Sequence, residues 1–347
     1  MELFNCVAYQ PSMAGEWDRL AAAAGSIYHT TAFRRILLES FGYRCLYHAV
    51  LDRDERVCAL LPLVEGRNLG LRRAAVSLPF VNYLDICAVS GAARRFAQTS
   101  LPALCAQRRL AYLEMRLKDQ DWDEPGWQAA ADQYSFSLPL AADEEQVLAL
   151  STAGNRNHVR KVYRNNWFAV SFDPGHLEAF YRVYVRRMKQ LGSPAPALAF
   201  FERFFQYLPD AARLLSVLDR DSGRVVGGML LLLSPGDQTL YYPYGANAVE
   251  YNAKYLNNFM YWEAVRLGIR CGLRRLDLGR SPAGSGTYAY KRQWGAEPCQ
   301  LRYLLYSESG YAPPGRSRFD LAVKLWRAAP AFITGRAGPR LIRYVLP

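Results

Sequence analysis

Arg213-Leu-Leu-Ser-Val-Leu-Asp-Arg-Asp-Ser-Gly-Arg-Val-Val-Gly-Gly-Met-Leu-Leu-Leu-Leu233 decides the fold. Two Leu/Val-rich runs, 213–218 and 224–233, flank the polar turn Asp219-Arg-Asp-Ser-Gly223, which is the pattern of an antiparallel hairpin. Downstream, Ser234-Pro-Gly-Asp237 turns the chain into a third strand at 239–244. Residues 255–271 then read as a helix ending at Gly272, and 273–279 as a short strand. Upstream, 176–191 reads as a helix with Phe180, Val183, Tyr184 and Met188 at helical spacing. Gly192-Ser-Pro-Ala-Pro196 ends it, and a short aromatic helix at 200–207 is closed by Pro209.

The same order occurs once before. Residues 17–41 are helical with one break near Gly25 and Ser26. Strands at 43–51 and 56–64 surround the turn Asp52-Arg-Asp-Glu55. An apolar segment at 74–88 carries Leu78-Pro-Phe-Val-Asn-Tyr83, where Pro79 marks an edge or bulge. A helix at 91–109 and a strand at 110–117 follow. The third strands correspond as 78–88 and 240–247, and the last strands as Tyr112-Leu-Glu-Met-Arg116 and Arg275-Leu-Asp-Leu-Gly279. The pattern predicts a duplicated α/β (α+β) unit, each copy a mixed, mostly antiparallel sheet flanked by helices. The boundary is expected within 138–151, giving units 1–145 and 146–310 and a basic tail 311–347.

With 347 residues, 51% hydrophobic and 13% aromatic, the chain has enough apolar material for two packed cores. Its formal charge of +12 suits an anionic partner as well as simple solubility. Residues 1–11 lack the basic and apolar regions of a secretory leader, so a cytoplasmic protein is expected. The longest aliphatic run, 229–233, is far too short to span a bilayer. Seven scattered cysteines without a C-x-x-C pair read as reduced, and four histidines without ligand spacing give no reason to expect a metal.

The block from Arg275 to Pro298 carries the chemistry. A strand runs into a Gly/Ser loop, Arg280-Ser-Pro-Ala-Gly-Ser-Gly286, that opens a short helix bearing Thr287, Tyr288, Tyr290 and Lys291. Glycines let backbone approach a ligand, and helix-start amides favour an anion. Lys291 lies one turn beyond Thr287, so its ammonium can reach the same place and stabilise an oxyanion formed during acyl transfer. The spacing equally fits a glycine turn beside a solvated lysine. Gly284-x-Gly286-x-x-Ala289 is a nominal dinucleotide fingerprint, but it comes late and lacks the following βαβ unit and acidic residue. Arg280, Ser281, Ser285, Gly286 and Thr287 are the accompanying binding candidates, with Tyr288 or Tyr290 as proton donor and Asp277 or Glu263 as base.

Tyr241, Tyr242, Tyr244, Asn247 and Tyr251 form a polar-tipped aromatic patch suited either to a cleft or to core packing. Arg156, Arg160 and Arg164 repeat at i, i+4 and i+8 with Lys161 beside them. Such a face suits an anion, a diphosphate-linked precursor or an RNA backbone, or is merely solvated. In the tail, Arg316, Arg318, Lys324, Arg327, Arg336, Arg340 and Arg343 face only Asp320, alongside Leu321, Leu325, Trp326, Phe332 and Ile333. Docking on an anionic membrane and packing on the first unit both fit.

The run Gly279-Arg-Ser with Gly284-Ser-Gly-Thr-Tyr-Ala-Tyr-Lys-Arg-Gln-Trp-Gly-Ala-Glu-Pro298 resembles the signature of Fem-like (FemAB/GNAT superfamily) proteins of the exosortase/PEP-CTERM-associated type. Also similar, in order, are Leu78-Pro-Phe-Val-Asn-Tyr83, Asn155-x-x-x-Val-Arg-Lys161, Phe180-Tyr-Arg-Val183 with Leu191-Gly-Ser-Pro194, and Trp326-Arg-x-x-Pro330 with Gly338-Pro-Arg-Leu341. The resemblance implies two tandem GNAT-like domains related to bacterial aminoacyltransferases that extend peptidoglycan precursors from charged tRNA, with Lys291 at the transfer centre. It brings Asn82, Tyr83, Arg160 and Lys161 in as substrate-binding candidates, and links this branch to exopolysaccharide and envelope genes. Two departures leave the donor open between aminoacyl-tRNA and acyl-CoA. No long heptad arm for tRNA is present, and residues 245–254 lack the Arg/Gln-x-x-Gly-x-Gly/Ala loop of coenzyme A users. The function expected is amide formation on an amine of an envelope, peptidoglycan or exopolysaccharide precursor, at the inner face of the membrane, without DNA and without a resident cofactor. A coenzyme A-dependent acetyltransferase and a non-catalytic binder of an anionic glycan or RNA are the rivals.

Overall fold

The apolar run at 229–233 is continuous because the strand carrying it is covered on both faces. Leu230 and Leu232 point into one core while Met229 and Leu231 point into the other. The computed structural model describes residues 4–68, 72–118, 120–311 and 319–344. Its first half contains β1 (Asn5–Ala8), α1 (Ala14–Ala24), α2 (Thr31–Phe41), β2 (Arg44–Leu51), β3 (Val57–Arg67), β4 (Arg73–Val76), β5 (Cys87–Ala88), α3 (Gly91–Gln107) and β6 (Tyr112–Leu117). There follow β7 (Trp127–Pro139), α4 (Glu144–Ala149), α5 (Ala153–Asn165), β8 (Phe168–Ser171), α6 (Leu177–Leu191), α7 (Leu198–Tyr207), β9 (Ala212–Asp219), β10 (Val225–Ser234), β11 (Thr239–Asn247), α8 (Leu256–Arg270), β12 (Arg275–Pro282), α9 (Gly286–Gln293), β13 (Glu297–Tyr306), α10 (Asp320–Ala328) and α11 (Ala331–Leu341).

Helices, hairpin, third strand, helix and closing strand recur in both halves in the expected order. The mixed α/β architecture with a GNAT-like sheet is as expected. Both halves share one sheet, ordered β1-β2-β3-β4-β6-β13-β7-β12-β11-β10-β9-β8, with β5 pairing β3. Each half has one parallel pair, β4 with β6 and β11 with β12. At the seam the halves exchange strands. β13, which ends the second half, lies between β6 and β7, and β7 lies between β13 and β12. One aromatic core, under α1, α2, α6 and α7, draws residues from both halves. The opposite face has separate cores under α3 and under α5 and α8.

The third strand of the first half departs from expectation. Instead of one strand over 78–88 there are β4 and the two-residue β5, both on β3, with residues 77–86 looping out between them. Pro79 has no amide hydrogen for a ladder, and Phe80 has φ 65°, which a strand does not accommodate. The equivalent irregularity in the second half is small. Leu230 faces Tyr244 and Leu232 faces Tyr241, so Tyr242 and Pro243 together oppose Leu231 in a bulge.

In the tail, α10 and α11 rest on α6 of the second half, and the last turn, Ile342–Tyr344, touches β3 of the first. Arg316 and Arg318 lie outside the described residues. Among the described residues no helix is long and apolar enough to cross a membrane.

Phe200 joins the halves. It is fully buried, with ring centroids 5.0 Å from Phe41 and 5.7 Å from Phe80 on one side, and 5.1 Å from Phe204 and 5.5 Å from Tyr244 on the other. Phe200→Ala should lose about 3–5 kcal/mol, with both halves still unfolding in one transition. Urea denaturation followed by fluorescence and circular dichroism checks this, and two separated transitions would show that the halves are independent.

Candidate active site

β11 and β12 are paired only from Thr239 and Arg275 to Tyr241 and Asp277. Beyond that point they part, because the bulge at Tyr242 and Pro243 turns β11 while β12 slips register against β7 between Asp277 and Arg280. The gap is a cavity of about 280 Å³ lined from β11 by Tyr242, Pro243 and Gly245, from β12 by Leu278 to Ser281, from α8 by Tyr261, and from α9 by Thr287, Tyr290 and Lys291. Asn82 of the 77–86 excursion completes the wall. A second cavity of about 300 Å³ shares Tyr242, Gly245, Tyr261, Thr287 and Tyr290 with it. It continues past Asn247, Asn257, Met260 and Gly286 to Arg187, Met188 and Leu191 of α6. The two form one cleft with a polar and a less polar end.

Lys291 is buried in the polar end. Ser285 caps α9 by accepting a hydrogen bond from the Tyr288 amide at 3.2 Å, and this turns Lys291 inward over β12. Its Nζ donates to the carbonyls of Gly279 and Arg280, both at 2.9 Å. It also sits 5.3 Å from the centre of the Phe136 ring. An ammonium has three N–H groups, so one remains for a ligand in the cavity. Burial pushes its pKa down to about 8, with the Asp277 charge opposing that shift and the Arg280 charge adding to it. A lysine solvated beside a glycine turn is therefore excluded.

Asp277 lies behind the cleft. Its Oδ1 accepts from the Gly279 amide at 2.7 Å, and its Oδ2 from the Tyr83 hydroxyl at 2.7 Å and Ser135 Oγ at 3.2 Å. A carboxylate so engaged, and absent from the cavity lining, positions β12 and balances Lys291 instead of acting as the expected catalytic base. Burial, then the nearby Asp277 charge, holds the Tyr83 phenol well above its ordinary pKa, so Tyr83 stays a donor. Tyr83 thus acts through Asp277, while Asn82 faces the ligand space. Tyr303 of β13 joins them by donating to the Asn82 carbonyl at 2.6 Å and accepting from Arg280 Nη1 at 2.8 Å. Gly279 has φ 73°, and a Cβ there would lie 3.1 Å from the Asn82 amide, so only glycine suits this corner.

Several expectations are corrected. Tyr288 points away from the cleft and packs edge-on against Tyr134 and Phe136, leaving Tyr290 as the α9 tyrosine that lines both cavities, beside Tyr242 and Tyr261. Tyr244 is buried among Phe200, Phe201 and Phe204, because the bulge puts it on the same face as Tyr241. Ser285 is half-buried, does not line either cavity and serves as a cap. Glu263 binds Tyr163 and Arg266 on the α5 side of α8. Arg160 and Lys161 line a separate, open cavity of about 550 Å³ on α5 with His158 and Arg164, so they do not meet Lys291. Arg280, Ser281, Gly286, Thr287, Tyr242, Asn247 and Asn82 do line the cleft. Tyr261, Asn257 and the α6 residues were not anticipated, since nothing in the local pattern of α8 or α6 separates a cleft wall from a core. Among the described residues no side chains cluster as metal ligands.

In the first half a side chain occupies the corresponding place. Glu114 and Arg116 stand where Asp277 and Gly279 stand in the second half. The Arg116 side chain is buried, bonded to Glu114 at 2.6 Å and to the carbonyls of Leu78 and Val81. A side chain and the 77–86 excursion fill what Gly279 leaves open.

Residues 153–292 match the acetyltransferase (GNAT) domain family, which covers every second-half residue of the cleft. No curated protein matches the chain. Among solved structures, that of FemX is 13% identical with a TM-score of 0.66, covering 92% of this chain and 100% of FemX. L-PGS from Bacillus licheniformis is 13% identical with a TM-score of 0.58, covering 93% and 98%. A tandem GNAT protein from the clavulanic acid biosynthesis pathway is 12% identical with a TM-score of 0.54, covering 90% and 100%. These likenesses extend over both halves, consistent with a tandem GNAT-type arrangement, and the match over 153–292 identifies a GNAT-type acyltransferase domain there.

Because the Asp277 charge opposes the fall in the Lys291 pKa, Asp277→Asn should lower that pKa further below about 8. NMR titration of ¹³C-lysine-labelled protein reads this directly, and an unchanged titration would dissociate the two groups.

Proposed function

We propose that the protein transfers an acyl or aminoacyl group to an amine on a cell-envelope, peptidoglycan or exopolysaccharide precursor, forming an amide. The observation that carries the reading is the buried Lys291 ammonium, which lines a cleft between diverging strands and spends two of its three N–H groups on carbonyls. The amine nitrogen attacks the carbonyl carbon of an activated ester or thioester. The tetrahedral oxyanion takes its hydrogen bond from Lys291 and from the first-turn amides of Gly286 and Thr287, which the ladder of α9 cannot use. The C–O or C–S bond then breaks, and the proton lost by the amine goes to the leaving group. Tyr290, which shares α9 with Lys291 and whose burial holds its phenol above the ordinary range, serves as the neutral donor.

The Fem-like sequence motifs, on a fold shared with FemX and L-PGS, support an aminoacyl donor and an envelope acceptor. The exosortase-associated branch and the inner face of the membrane are proposed from the sequence resemblance alone. An acyl-CoA donor is the second reading, favoured by the GNAT domain match. Against it, the segment after β11 is a 3₁₀ turn, Val249–Lys254, without glycine, closed by Asn247 to Asn252 at 2.7 Å and Lys254 to Asp219 at 3.8 Å. Mass spectrometry of an amine acceptor incubated with aminoacyl-tRNA or with acyl-CoA separates the two, and no adduct with either would end the reading.

Lys291→Met should lower turnover by about 10²–10³-fold, the loss typical of one oxyanion donor. Stability should change little. With its folded pKa lowered from 10.5 to about 8, the charged lysine costs the fold about 3 kcal/mol below pH 8, a cost that fades as pH rises from 8 to 10.5. Methionine removes that cost but leaves the Gly279 and Arg280 carbonyls without their donor, a loss of about 1–3 kcal/mol. Wild-type turnover should also fall as pH rises through about 8, where the ammonium is lost. A rate that climbs through that region would make Lys291 a base instead.

A further inference from the structure

α10 and α11 are held by few of their side chains. In α10, Val323 and Trp326 face α6. The indole donates to the Ser193 carbonyl at 3.2 Å, and Val323 lies against the left-handed turn at Gly192. Arg327 donates to the Leu191 carbonyl at 3.2 Å, and Lys189 donates to the Arg327 carbonyl at 3.0 Å. In α11, Thr334 and Gly338 are the buried positions, with Ile342 following in the shared aromatic core. This leaves Leu321, Leu325 and Phe332 exposed at 68%, 62% and 67%, with Ile333 beside Phe332 also exposed. Leu321 and Leu325 are four residues apart, on the face of α10 opposite Val323. Large apolar side chains this exposed bury little area for the fold.

The charge around them is one-sided. Over residues 319–344 there are five cations, Lys324, Arg327, Arg336, Arg340 and Arg343, and one carboxylate, Asp320. A second copy seated on this strip would bring two such cationic surfaces together, which is unfavourable. An anionic bilayer satisfies both properties at once, taking the apolar side chains at the acyl boundary and the cations at the headgroups. The position matters too. α10 is bonded to the C-terminal turn of α6, and Arg187, Met188 and Leu191 on that part of α6 line the less polar end of the cleft.

We propose that α10 and α11 form an in-plane docking surface for an anionic membrane and set the α6 end of the cleft against the bilayer. Resting on the acyl-transfer reading, this makes one substrate an amphiphile that enters from the lipid surface with its reactive group toward Lys291.

The test uses the full chain and vesicles of phosphatidylglycerol with phosphatidylcholine, against phosphatidylcholine alone, at physiological ionic strength. Cosedimentation is expected with the anionic vesicles and not with the neutral ones. Leu321→Glu with Leu325→Glu, and separately Phe332→Glu, should each weaken binding about tenfold or more with an unchanged circular dichroism melt, since these side chains are exposed. Lys291→Met should bind vesicles like the wild type. Absence of binding to anionic vesicles, or full binding by both glutamate variants, overturns the proposal. So does a wild-type dimer in light scattering that Leu321→Glu splits, which would assign the face to a second copy. Failed vesicle binding with intact transfer to a water-soluble amine would sink the membrane surface alone. Intact vesicle binding without any transfer would sink the acyl-transfer reading instead.

Discussion

Once β11 turns away at Tyr242, the carbonyls of Gly279 and Arg280 face a gap where a strand would have been. Unpaired carbonyls at that depth are costly. The Lys291 ammonium answers both, and in doing so becomes a buried cation whose own cost is limited by Asp277. Asp277 in turn is fixed by the Gly279 amide, Ser135 and Tyr83. Carbonyls, ammonium and carboxylate thus form one electrostatic unit that keeps the strands apart. Without it the gap would close or fill, as the first half illustrates with Arg116.

The two halves depend on each other at this point. Exchange of β7 and β13 places β12 beside a strand that follows directly from the first half. The 77–86 excursion then reaches across to supply Tyr83 to Asp277 and Asn82 to the cavity wall. The irregularity is a two-residue bulge in the second half and a loop that serves the second half's cleft in the first. The same order of elements recurs in both halves of one sheet, and the Lys291 cleft draws its walls from both.

Much of this was legible in the residues. The hairpin at 213–233, the repeated order of elements and the Gly/Ser loop before Lys291 have local signals: turn chemistry, runs of Leu and Val, and a helix cap. What escaped was long-range. β7 and β13 lack a hairpin partner nearby in sequence, so neither period nor turn announces them, and their exchange depends on residues about 170 positions apart. The facing of Tyr244 was inverted because a bulge at Tyr242 and Pro243 shifts every later side chain to the other face. Tyr288 and Tyr290 are two apart on a short helix, so they point in different directions, and only packing against Tyr134 and Phe136 decides which meets the cleft. Arg160 and Lys161 made an anion-binding pattern on one helix face, but pattern says nothing of distance to Lys291.

The cleft itself has a direction. Lys291, Arg280, Ser281 and Asn82 gather at one end, and Met188, Leu191 and Met260 at the other, with Tyr242, Tyr261 and Tyr290 along both. A small polar acyl group needs only the first end. A substrate that used the whole length would carry its reactive carbonyl or amine on a longer, less polar body. That body would leave between β11 and α6, where α10 is fastened and the exposed leucines begin. The cleft thus runs from a charged interior to a less polar end where Met188, Leu191 and Met260 stand beside Arg187, Asn247 and Asn257, near the helix that carries the exposed leucines. A long, partly apolar substrate uses the full length of such a cleft, whereas a small soluble one occupies only the Lys291 end.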